Sequence, residues 1–92
     1  MAGMCRNIRQ LHNFEPPASE QEVRDAAVQY VRKISGSTKP SHANEQVFER
    51  AVEEVARATS RLLEGLVTSA APRDREIEAA RRRERYRQRF AA

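Results

Sequence analysis

The sequence predicts an all-α protein: an antiparallel helical hairpin, a short N-terminal segment and an Arg-rich third helix. Three observations carry this. Two long apolar patterns run at the period of a helical face. Pro16, Pro17, Gly36, Pro40 and Pro72 punctuate the chain between the patterned segments. The 92 residues are 39% hydrophobic and 33% charged, which is enough for one domain with one thin core.

The first helix is expected over about residues 20–35. Ser19 stands three residues before Glu22, the capping-box spacing in which the hydroxyl takes a backbone N–H and the carboxylate reaches back. Val23, Ala26, Ala27, Tyr30, Val31 and Ile34 then recur at i, i+3, i+4, i+7, i+8 and i+11, one helical face. Gly36 supplies a left-handed stop, and Arg32 and Lys33 sit in the last turn, where the helix dipole favours cations.

A short connector through Lys39 and Pro40 leads to a second helix over about 43–68, capped by Ser41 or Asn44 and packed antiparallel on the first. Phe48, Ala51, Val52, Val55, Thr59, Leu62, Leu63 and Leu66 form its stripe, widened by Val47, Ala56, Ala58 and Val67. At ~1.5 Å per residue this helix is roughly 39 Å long against ~24 Å for the first, so the first cannot cover it. Ile8, Leu11 and Phe14, the third helix, or a second subunit must cover the rest. The third helix is expected over about 74–90, after Pro72, with Asp74 as cap and Ile77 as its first large apolar residue. Its apolar face is poor: Ala79, Tyr86 and Phe90 align, but Arg83 interrupts them. Residues 1–71 form the hairpin core and 72–92 the Arg-rich helix, either docked on it or projecting from it.

Charge separates the same two regions. Residues 1–71 hold nine Lys/Arg and nine Asp/Glu, whereas 72–92 hold eight Arg and four acidic residues, so the whole net charge of +4 lies beyond Pro72. Arg81, Arg82, Arg83, Arg85, Arg87 and Arg89 are candidate nucleic-acid contacts, because the planar guanidinium fork matches phosphate and Tyr86 or Phe90 offers a ring for an unpaired base. The competing reading is a solvated helix kept soluble by alternating Glu and Arg.

No catalytic set emerges. Cys5, His12 and His42 are three scattered groups where structural zinc takes four, and the carboxylates fall on polar helix faces. No Gly-rich phosphate loop, serine elbow or dinucleotide fingerprint is present. Cys5 remains a candidate reactive thiol, and translation from Met4 would leave it N-terminal once that Met is removed. The expectation is a non-enzymatic protein with no metal or cofactor. A single cysteine and the absence of a signal-peptide or membrane-length apolar stretch suggest a cytoplasmic protein that does not cross a membrane.

The segments Met4-Cys5-Arg6-Asn7-Ile8-Arg9, Asn13-Phe14-Glu15-Pro16-Pro17-Ala18, Val31-Arg32-Lys33-Ile34-Ser35-Gly36, Lys39-Pro40-Ser41, Ala43-Asn44-Glu45 and Pro72-Arg73-Asp74-Arg75-Glu76 together resemble a bacterial family, domain of unknown function 2277. The resemblance runs over nearly the whole chain from Met4 and implies no activity, cofactor or catalytic residue; Met1-Ala2-Gly3 precede the family's usual Met-Cys start. In helix order alone the chain also resembles a histone fold, whose long central helix is covered by dimerisation. The leading expectation is a protein-interaction module that engages a protein partner or forms a homodimer through the second helix's stripe. The alternative is an accessory protein that binds RNA or DNA through the third helix.

Overall fold

A computed structural model of the chain describes residues 8–90, in the order β1 (Phe14–Glu15), α1 (Glu20–Ser35), a 3-10 turn (His42–Asn44), α2 (Glu45–Gly65), β2 (Arg73–Asp74) and α3 (Arg75–Phe90). The fold is mostly α, as expected, with one two-residue parallel strand pair added.

The first helix has the expected bounds and the expected signals at both ends. Ser19 Oγ accepts from the Glu22 N–H at 3.1 Å while Glu22 Oε1 accepts from the Ser19 N–H at 3.0 Å, so two otherwise orphaned donors are satisfied reciprocally. Gly36 takes φ +70° and its N–H donates to the Arg32 carbonyl at 2.9 Å.

The second helix is shorter than the expected 43–68. At its start the Ser41 and Asn44 side chains bond each other at 3.1 Å and neither caps the helix, leaving residues 42–44 in a 3-10 turn. At its end Gly65 is the last helical residue and Leu66 is extended. Glycine gives up the most backbone entropy on becoming helical, and Val67, 95% exposed, gains no packing that would offset it. Even so, 21 residues at ~1.5 Å each span about 32 Å, and α2 still outreaches α1 at about 24 Å.

The two helices meet through small side chains. Ala27 and Val31 of α1 close on Val52 of α2, which is fully buried, with Val28, Phe48, Ala51, Val55 and Ala56 packed around them. Short side chains let helix axes approach closely. An Arg24–Glu49 ion pair bridges the helices outside this contact. The molecule measures 45 × 39 × 22 Å, and Ile34, Val47 and Leu62 stay more than half exposed beside the pair, so its apolar face is not fully covered by the described residues.

What joins the third helix to the body is a polar clasp with no counterpart among the sequence expectations. β1 and β2 run parallel, Phe14 opposite Arg73 and Glu15 opposite Asp74. Asn13, at φ +65°, accepts from the Arg73 N–H at 2.8 Å and donates through Nδ2 to the carbonyls of Ala71 (3.2 Å) and Ala70 (3.4 Å). Asparagine tolerates this left-handed conformation better than most residues. Asp74 caps α3 as expected, its Oδ1 accepting from the N–H groups of Glu76 (2.8 Å) and Ile77 (3.0 Å).

Candidate functional site

Two surfaces stand out, one apolar and one basic. The apolar surface follows from the unequal helices. Beside the shared core, Tyr30, Ile34, Val47, Leu62 and Leu66 remain exposed, Val47 at 71% and Ile34 at 62%. They belong to two shallow grooves between α1 and α2. One, of about 360 Å³, is lined by Tyr30, Val31, Ile34, Pro40, Val47, Phe48, Ala51 and Val55. The other, of about 340 Å³, runs past Ala26, Ala27, Tyr30, Val55, Thr59, Leu62, Leu63 and Leu66 to Ile8 and Leu11. Tyr30 and Val55 line both grooves, so the apolar surface is continuous along the pair.

The N-terminal segment therefore supplies part of the cover expected of it, through Ile8 and Leu11 at the C-terminal half of α2. Phe14 lines a shallow pocket with Leu63 at the end of α2 and also takes the Arg75 guanidinium, 5.7 Å from its ring centroid. The first helix's apolar face is only partly buried. Val23, Ala27 and Val31 go inside, whereas Tyr30 and Ile34 line the open groove.

The electrostatic centre of the clasp is Glu22. The carboxylate that completes the α1 capping box also accepts a bidentate pair from Arg75, at 2.8 and 2.9 Å, and Arg75 Nε donates to the Pro16 carbonyl at 2.6 Å. The Arg75 bonds, then the Ser19 N–H, hold the Glu22 carboxyl below the usual carboxylate range, against partial burial that raises it. Arg75 is raised by the same bonds to Glu22.

The basic surface is α3 beyond this root. Arg81, Arg82, Arg83, Arg85, Arg87 and Arg89 are all exposed. Arg81 pairs with Glu78 at 3.3 Å and Arg87 with Glu84 at 2.9 Å, both within the helix. Arg82, Arg83, Arg85 and Arg89 make no ion pair among the described residues. Ile77, the first large apolar residue of α3, is 52% exposed, and the clasp and the Asp74 cap hold this end.

His12 lies beside Leu63 and Glu64 near the end of α2, and His42 precedes its start, 3.7 Å from Glu45, so the two histidines stand at opposite ends of that helix. Among the described residues no three His, Cys, Asp or Glu side chains gather as metal ligands. Cys5 and the side chain of Phe90 lie outside the described residues. Among the described residues no helix is long and apolar enough to cross a membrane.

Sequence reasoning missed Asn13 and the Glu22–Arg75 pair. A signal was present: Asn13 and Arg75 both fall in the segments that carry the family resemblance, and neither had a role in any predicted helix. Residues 4–81 match the model of a family described as Uncharacterized conserved protein (DUF2277), the match stopping within α3 at Arg81. Comparison with curated proteins and with solved structures returns no match.

Proposed function

We propose a role for this chain, which belongs to the DUF2277 family, as a non-enzymatic helical interaction module that pairs with a second copy of itself through the α1–α2 groove. The observation that carries the reading is the continuous exposed apolar surface from Ile34 and Val47, past Tyr30, to Leu62 and Leu66. A core whose buried members among the described residues are Val23, Ala27, Val31 and Val52 is small for a 92-residue chain, and burial against a partner is the ordinary remedy.

The pattern along α2 supports a second copy as the occupant. Ala51, Ala58 and Gly65 recur every seven residues beside Val47 and Leu62, so a partner helix can come close along this edge. Glu54 and Arg61 border the edge, also seven apart, and neither has an ion pair within its own chain among the described residues. Across a two-fold axis between them, antiparallel α2 helices set Glu54 of each copy against Arg61 of the other. The proposal includes a cytoplasmic setting, where an unpaired thiol such as Cys5 stays reduced.

Sedimentation equilibrium over a range of concentrations tests this. A dimer is expected, weakened roughly tenfold by Glu54→Arg or by Arg61→Glu, each of which sets like charges together, and restored by the double reversal. A strict monomer at millimolar concentration would sink the proposal. A dimer indifferent to all three variants would remove α2 pairing as its basis.

A further inference from the structure

The structure also offers a surface that self-association through the groove does not use: the projecting part of α3. We infer that this helix binds the major groove of duplex DNA, contacting the phosphate backbones without reading sequence.

The argument starts from where the unpaired arginines fall. Arg82, Arg85 and Arg89 follow i, i+3 and i+7 along one face of α3, and Arg83 lies about 130° round the helix from that row at ~100° per residue. The row spans about 10 Å at ~1.5 Å per residue, the rise of about three nucleotides of one DNA strand at ~3.4 Å each. Guanidinium groups on two sides of one helix suit a channel with two anionic walls. The B-form major groove is such a channel, and at about 12 Å wide it admits an α-helix.

Access is also built in. Every residue from Arg81 to Arg89 is exposed, and the helix is held to the body at its root through Arg75, Glu22 and the strand pair. Arg82, at the base of the row, lines a shallow groove with Arg9, Gln10 and Leu11, and the helix beyond it, from Arg83 to Arg89, can enter a DNA groove without the body following. An anionic membrane surface fits poorly, because a helix lying on lipid needs one apolar face opposite a basic one, and Arg83 lies on the side away from the Arg82 row. Duplex RNA fits poorly because its major groove is deep and narrow.

Fluorescence anisotropy of the full-length protein with a labelled 20-base-pair DNA duplex tests the inference. Binding is expected at low salt. With about four phosphates neutralised, affinity should fall roughly a hundredfold between about 50 and 200 mM salt. Replacing Arg82, Arg83, Arg85 and Arg89 by Gln should abolish binding. A charge-matched variant with Arg32, Lys33, Lys39 and Arg57 replaced by Gln should keep at least a third of the affinity, since these four lie on the body. No binding at low salt, salt-independent binding, or equal loss in both variants would overturn it, the last by showing only the pull of a basic protein on a polyanion. Tighter binding to an RNA duplex or to phosphatidylserine vesicles than to DNA would also overturn it. Because the four arginines lie outside the groove, failure here leaves the oligomeric state untouched, and a monomer can still bind DNA.

Discussion

The α1–α2 pair and α3 are held in place by different physics. Between α1 and α2 the contact is apolar and centred on Val52, with one ion pair outside it. At α3 the attachment is polar: a bidentate ion pair, a cation over an aromatic ring, a carboxylate cap and a strand pair of two residues a side. Apolar burial carries no group that titrates and no charge that dilute salt screens, whereas a partly exposed polar clasp responds to both. One chain thus carries a body and an appendage that different conditions should separate.

The largest effect should come from the body. Val52→Asp places a charge in a fully buried position with no partner nearby, and a loss of more than about 4 kcal/mol should unfold the pair outright, read as lost helicity by circular dichroism. A variant that stayed folded would mean the pair is not centred where the structure puts it. Next comes the clasp. Arg75→Ala removes the partner of Glu22, and the root of α3 should loosen, by less than for a buried pair because both side chains are about a third exposed. Amide exchange should rise in residues 75–90 while Ala27, Val31 and Val52 stay protected; equal loss in both regions would show that they are one cooperative unit.

Acid should act in the same place. Glu22 has a folded-state pKa below its unfolded value, so its contribution is fully present above the usual carboxylate range and fades as pH falls through the lowered value. Protection of α3 amides relative to their intrinsic exchange rate should therefore fall on acidification before the α1–α2 core loosens, and Glu22→Gln should remove that step. The smallest effect belongs to the intrahelical pairs. Arg81→Ala or Arg87→Ala should change thermal stability by no more than about 0.5 kcal/mol, because exposed i, i+3 pairs in water contribute little.

The same division governs what could be read from the sequence. Local signals were legible. Ser19 and Glu22 marked the start of α1, Gly36 its end, and Asp74 the start of α3, because each works through its neighbours in the chain. The apolar periodicity also identified the right helix faces and the mismatch in their lengths. Other features depend on residues far apart. Glu22 and Arg75 are 53 positions apart and Asn13 and Ala71 are 58 apart, and no window of sequence joins them. Glu22 was the harder case, since its capping role already explained why an acid stands there. At the ends of α2, periodicity overran the helix: Leu66 and Val67 continue the pattern, but only packing could have kept them helical.

The parallel pairing of Phe14–Glu15 with Arg73–Asp74 has a mechanical consequence. The chain enters the helical pair through β1 and leaves it through β2, so the two points of attachment lie side by side and everything between them is a closed loop. Tension applied from before Phe14 and after Asp74 acts at opposite ends of two parallel strands. The bonds of the clasp are then loaded together in shear instead of being peeled one at a time, and a load carried along the chain bypasses the α1–α2 pair until the clasp gives way.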